Sequence, residues 1–217
     1  VAAAAPSRPS RSLLARLLGG TERSPFADRA GRDTALRFGM ALFLITLAVI
    51  FAATLLAYVI VRLSPVNADS WRPAGAGSLP TMLAISTAAL LASSGTIHLA
   101  LVAARRGERS VAGWVAATFA LGLLFLTLQI VGWGQATAAN IRFDQSLYAW
   151  TFYVLTGLHA LHLLAAFPPL AVVLVRASRG AYGPDATGGL VLCAMYWHFL
   201  DAVWIILYAT LLWGSGR

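Results

Sequence analysis

The chain has 217 residues, 59% of them hydrophobic and only 11% charged, with a mean hydropathy of +0.75. Soluble globular domains carry about 25% charged and about 45–50% apolar residues, so this balance excludes an ordinary water-soluble fold and indicates a membrane protein. All 16 basic residues are arginines and the net charge is +8, but the excess sits in the N-terminal tail and beside apolar stretches. Anionic lipid headgroups are the nearer partner for it there, and nucleic acid is excluded as the main one.

In chain order, residues 1–35 are rich in Ala, Ser, Pro, Gly and Arg and lack a long apolar run. They read as a mobile, Arg-rich cytoplasmic arm with at most a short helix around "SLLARLLGG". Glu22, Asp28 and Asp33 argue against a transit peptide, which is poor in acidic residues. Residues 36–217 read as one transmembrane domain. Five uninterrupted apolar stretches, Phe38 to Val61, Leu79 to Ala103, Val111 to Trp133, Leu147 to Val175 and Gly188 to Trp213, each exceed the roughly 20 residues that cross a bilayer. None alternates as a membrane β-strand does, so each must satisfy its own backbone as a helix. The expected fold is an all-α bundle of five transmembrane helices.

Loop chemistry refines this. "SPVNADSWRPAGAGSLP" has turn-forming composition, with Trp71 suited to the membrane interface. The short "RRGERS" loop makes spans two and three antiparallel neighbours. Pro168 and Pro169 should kink or end the fourth helix. Twelve arginines would share one side with the N-terminus, seven in the tail plus Arg105, Arg106, Arg109, Arg176 and Arg179, against Arg62, Arg72, Arg142 and Arg217 on the other. The positive-inside rule then places the N-terminus in the cytoplasm and the C-terminus outside. Cys193, the single cysteine, reads as a small packing residue.

The ionisable groups inside the spans are His98, His159, His162, His198 and Asp201. An Asp at the bilayer centre costs on the order of 2.5–3.5 kcal/mol by insertion scales, so such groups should face protein or water. At about 1.5 Å of rise per residue, His162 and His198 lie about 15 Å from the inner ends of spans four and five, and His159 and Asp201 about 20 Å. If those faces meet, His162 opposes His198 and His159 opposes Asp201, with Thr156, Gly157 and Ala160 allowing close approach. His98 reads as separate. Three readings stand: a metal site of imidazoles and carboxylate; a proton relay or a site for a lipid headgroup or ligand; and a satisfied polar network that sets helix register. The network and the lipid or interface readings are preferred over metal, because nothing in the sequence supplies the outer shell of an open redox site. Tyr196, Trp197, Phe199, Trp204, Tyr208 and Trp213 surround the group, as core packing or a subunit interface would require.

The segments "YWHFLDAVWIILYATLLWGS" and "FYVLTGLHALHLL" closely resemble the last two helices of subunit III of the haem-copper (cytochrome c) oxidases. "RFGMALFLITLAVIFAATLLAYVIVR", "LPTMLAISTAALLASSGTIHLALVAARRGER" and "GLLFLTLQIVGWGQ" resemble the preceding helices of its short five-helix bacterial form, so the resemblance covers about Arg37 to Ser215. It implies an accessory subunit of a proton-pumping terminal oxidase in a bacterial cytoplasmic membrane, without metal or haem of its own. It also implies packing against the catalytic subunit I that holds the haems and copper, binding of phospholipid, support of proton uptake and protection of the catalytic subunit. No catalytic residue is expected in this chain. His159, His162, His198 and Asp201 match motif positions, which favours a buried polar network or a lipid or subunit contact, with His98, Trp197 and Trp204 as secondary candidates. Two positions depart from the pattern: Leu47 and Gly132 stand where the family commonly has glutamates. Their absence weakens a proton-antenna role and keeps open a related subunit of a quinol oxidase or nitric-oxide-reductase complex. An independent channel or transporter is the reading of a different class.

Overall fold

The structure is a computed structural model and describes residues 29–67, 71 and 78–216. The expected arm helix around "SLLARLLGG", and most of the loop around Arg72, lie outside the described residues. Residues Val1–Arg37 and Phe38–Arg217 form two compact units, and the second carries the helical bundle.

Among the described residues the secondary structure is five long α-helices and one short 3-10 turn, Pro65–Asn67, with no strand. The helices are α1 (Arg29–Leu63), α2 (Thr81–Arg105), α3 (Val111–Ala138), α4 (Leu147–Ser178) and α5 (Gly188–Ser215). All five are long and apolar enough to span a bilayer, and the chain is a multi-pass membrane protein with the expected all-α architecture. Four of the five helices outrun the apolar stretch that foretold them, because hydropathy registers only the part at hydrocarbon depth while helical hydrogen bonding continues into the interface; α2 is as long as its stretch but begins two residues later, after Pro80. The prolines in α4 do not end it: the helix runs through Pro168 and Pro169 to Ser178. Helix-breaking residues are tolerated in membrane spans because lipid offers the backbone no competing hydrogen bonds and neighbouring groups re-satisfy it.

The helix ends are set locally. At the start of α4, the Ser146 hydroxyl accepts from the Ala149 amide at 3.1 Å, an N-cap bond. Helices α2, α3 and α4 end in the same way, with one left-handed residue: Gly107 (φ 69), Asn140 (φ 60) and Gly180 (φ 69). The amides of Glu108, Ile141 and Ala181 then donate back to the carbonyls of Ala103, Ala136 and Arg176 at 2.9, 2.9 and 3.0 Å. These are Schellman closures, which favour Gly and tolerate Asn because they need positive φ.

Helices α2–α5 form the packed body, with Ile97, Val115, Phe125, Phe152, Leu163, Leu200 and Leu207 at its centre. Gly122 of α3 lets the Trp197 and Phe167 rings lie against its backbone; a β-carbon there would sit 2.7 Å from Trp197 Cη2. Helix α1 leans on this body through Leu47, Phe51 and Tyr58. Trp71, expected to suit the membrane interface, lies beside the last turn of α5. It is buried, its indole N–H donates to the Gly214 carbonyl at 3.0 Å, and its ring meets Tyr58 and Tyr148 edge-on at 5.4 and 5.6 Å. The loop after α1 is thereby stapled to the end of α5, because an indole offered a free carbonyl at a helix C-terminus satisfies both groups at once.

Candidate functional site

The five ionisable residues within the spans fall into two groups, and the division differs from the one that depth alone suggested. His159 of α4 is fully buried in an aromatic cage, with ring centroids at 4.9 Å from Trp204, 5.8 Å from Phe125 and 6.4 Å from Phe51. Neither of its ring nitrogens has a hydrogen-bond partner. His162, one turn along, directs Nδ1 to the Leu158 carbonyl of its own helix at 2.8 Å and stacks obliquely on Phe51 at 5.0 Å. A carbonyl only accepts, so that contact places the ring proton on Nδ1. The His162 backbone carbonyl in turn accepts from the Tyr196 hydroxyl at 3.0 Å, which ties α4 to α5.

His198 and Asp201 of α5 turn the other way, toward α2. His198 Nδ1 lies 2.7 Å from Ser94 Oγ and 3.9 Å from Asp201 Oδ2. The His98 ring centroid is 6.4 Å from that of His198. Asp201 is buried, with the Ser94 hydroxyl and His198 Nδ1 the polar groups beside its carboxylate. The expected pairs His162 with His198 and His159 with Asp201 are therefore not formed, and His98, expected to be separate, joins His198. Equal depth fixes the level of two residues but not the direction in which their helix faces point. The His159/His162 face of α4 meets Phe51 of α1 and Phe125 of α3, so the matched levels look past each other.

The polar groups that do cross between helices were missed in the sequence. Most of those missed are hydroxyls on α2, while Trp133 Nε1 of α3 donates to Thr156 Oγ1 of α4 at 3.0 Å. Trp197 Nε1 donates to Ser93 Oγ and Trp204 Nε1 to Thr87 Oγ1, each at 2.9 Å. Gln129 Nε2 of α3 donates to Ser86 Oγ at 2.9 Å, and Thr96 meets Thr118 at 2.8 Å. Ser86 and Ser93 also donate to the carbonyls of Leu83 and Leu90 in their own helix, at 2.9 and 2.6 Å. Ser86 and Ser93 thus use the hydroxyl proton locally and accept one bond across the interface. A signal was present: Ser86 and Ser93, and likewise Thr87 and Ser94, are seven residues apart, two helical turns along one face. Trp197 and Trp204, also seven apart, bond one member of each pair, Ser93 and Thr87.

Leu47 and Gly132 serve packing. Leu47 is part of the buried core, and at Gly132 a β-carbon would meet Met82 Cβ and Leu83 Cγ at 3.8 and 4.0 Å, where α2 and α3 approach. Cys193 is buried and unpaired. Among the described residues no group of three or more His, Cys, Asp or Glu side chains could hold a metal ion. The arrangement can orient helices and fix their register.

Known proteins place this geometry. The family model for cytochrome c oxidase subunit III matches residues 28–215. Proteins named cytochrome c oxidase subunit 3 are similar to the chain: 35% identity in Lumbricus terrestris, over 83% of this chain and 70% of that protein; 31% in Corynebacterium diphtheriae, over 83% and 88%; and 32% in Synechocystis sp., over 79% and 72%. With nearly the whole bundle inside the match, the chain belongs to the cytochrome c oxidase subunit III family, the accessory subunits of haem-copper oxidases.

Proposed function

We propose that this chain stabilises the catalytic subunit I of a proton-pumping terminal oxidase in a bacterial cytoplasmic membrane, with its N-terminus inside, and holds phospholipid at its surface. It contributes no group to the chemistry of oxygen reduction. The observation that carries this reading is the use made of the polar side chains within the spans: indoles, hydroxyls and Gln129 are consumed in joining α2 to α3 and α5. Groups so engaged set helix register and are unavailable for turnover. An apolar cleft of about 390 Å³ between α1, α4 and α5, lined by Met40, Val172, Cys193 and Tyr196 with Arg176 and Tyr182, suits an acyl chain beneath an anionic headgroup.

The test is recovery of the tagged chain from native membranes in a gentle detergent, followed by an absorption spectrum and mass-spectrometric identification of its companions. Co-purification of a haem-copper catalytic subunit is the expected result, and the companions identify the electron donor. Recovery without haem would discard the reading in favour of a free-standing channel or transporter. Asp201→Asn keeps volume and removes the carboxylate. Haem recovered with that variant should fall several-fold, consistent with the cost of disturbing a buried polar site; an unaltered complex would show that the carboxylate has no part in assembly.

A further inference from the structure

We propose that the recess between the α2–α3 loop and the end of α4 is a binding site for a water-soluble anion carrying two or more phosphate groups, gripped by Arg109 and Arg179. The inference goes beyond the accessory-subunit reading and does not depend on it. With the N-terminus inside, the recess opens to the cytoplasm.

The first observation is the recess itself. It measures about 460 Å³ and lies where α2 and α4 end and α3 begins, with Val111 and Ala177 buried and Glu108, Arg109, Ser178 and Arg179 exposed around it. Sites for small molecules typically run from about 300 to about 1,000 Å³. Short closures fix its walls. Gly107 and Gly180 take left-handed φ of 69°, which turns each chain sharply away from its helix. Pro184 of the α4–α5 loop lies against Gly107, its Cδ 3.6 Å from where a β-carbon would sit.

The second observation is the charge that the recess leaves unspent. Among the described residues neither Arg109 nor Arg179 forms an ion pair. The Glu108 carboxylate in the lining is held by Arg106 at 3.7 Å and by the Ser110 hydroxyl at 3.1 Å. Two guanidiniums from different loops thus border one polar cavity without a free counter-charge among its lining residues. A guanidinium offers phosphate oxygens two parallel donors, and a single phosphate is too small to engage side chains on both walls of a cavity this size. The start of α3 adds to the attraction: the Ser110 side chain makes no cap bond to the first-turn amides, and free amides at a helix start favour an anion. The carbonyl ends of α2 and α4 oppose it little, because those of Ala103 and Arg176 accept from the amides of Glu108 and Ala181.

The third observation separates this anion from a lipid headgroup, the competing source of phosphate on this side. The apolar cleft suited to an acyl chain shares only Tyr182 with the recess. The cation of that cleft is Arg176, which sits over the Tyr182 ring at 5.8 Å. Arg109 and Arg179 lie instead beyond the last residues of α2 and α4, outside hydrocarbon depth. The two sites therefore use different arginines, one set beside an apolar wall and the other beside water.

The test titrates the full chain, in nanodiscs of phosphatidylcholine, with inorganic pyrophosphate by calorimetry at about 0.15 M salt, where loose surface attraction is screened. Saturable binding to one site per chain is expected. Arg109→Gln and Arg179→Gln should each weaken it about tenfold, the order for losing a hydrogen-bonding partner of a charged group. Arg142→Gln removes an exposed charge at the opposite end of the bundle and should leave binding unchanged. All three side chains are exposed, so the variants should fold as the unmodified chain does. In parallel, the phospholipids that accompany each variant out of native membranes are identified by mass spectrometry, and their amounts should not differ. Lack of saturable binding, or an equal loss in all three variants, would overturn the proposal. So would a phospholipid lost with Arg109→Gln and Arg179→Gln but kept with Arg142→Gln, which would give the recess to a headgroup. None of these outcomes touches the accessory role, which the recovery of haem decides.

Discussion

Helices α1 and α2 are both long enough to cross a bilayer, yet they hold to the bundle by different means. In α1 only 17% of the most apolar window is buried, and the contacts are bulky rings: Phe43 against Tyr196 at 5.9 Å, Phe51 against His162 at 5.0 Å, Tyr58 against Trp71 at 5.4 Å. Its hydroxyls turn inward on their own helix, Thr46 to the Leu42 carbonyl and Thr54 to that of Phe51. Helix α2 instead places Ser86, Thr87 and Ser93 where Gln129, Trp204 and Trp197 reach them. The contrast comes from the solvent. In lipid there is no hydrophobic force between helices, so association draws on dispersion contact and interhelical hydrogen bonds. Since such bonds average only about 0.6 kcal/mol each, the α2 ladder contributes direction and register more than bulk stability.

That comparison can be broken most easily at α1, where a few rings carry the contact. Phe51→Ala should cost about 3–5 kcal/mol, the range for removing a buried ring, with less if lipid enters the void. It should also raise labelling of cysteines placed along the inward side of α1; unchanged labelling would mean that α1 is held by something other than its rings. Next in size is Gly122→Ala in α3, whose methyl would be driven against Trp197 and Phe167. Overpacking of this kind costs about 1–3 kcal/mol and should appear as a lowered unfolding midpoint in detergent titration. The smallest effect is expected for Gln129→Leu, which removes one rung of the ladder for about 1 kcal/mol. If that loss instead exceeded the loss from Phe51→Ala, hydrogen bonding would be the dominant force in the bundle and the contrast between α1 and α2 would be reversed.

Several features were legible in the sequence because they depend on local chemistry. The five spans follow from apolar runs longer than a bilayer is thick. The closures at Gly107 and Gly180 were not read in advance, although glycine is the residue that adopts positive φ most readily. The C-terminal motif around His198 and Asp201 carried the family likeness. The candidate site was legible only in its membership. His159 and Asp201 are at similar depth, but α4 turns His159 into a cage of Trp204, Phe125 and Phe51 while α5 turns Asp201 toward α2. The serines and threonines of α2 escaped notice because single hydroxyls change hydropathy little. Only the seven-residue recurrence of Ser86 with Ser93 and of Thr87 with Ser94 marks them.

The sequence by itself determined that the chain lives in a membrane, how many times the described part can cross it, and which side chains are too polar to face lipid. Each of these is a property of a residue and its near neighbours along one helix. The tertiary structure decided which face of each helix looks where. It brought His98 beside His198, placed Trp71 under the end of α5, and paired the α2 hydroxyls with indoles more than a hundred residues away. The reason is rotational: at about 100° per residue, a helix whose level is known still has its azimuth set by how it packs against its neighbours.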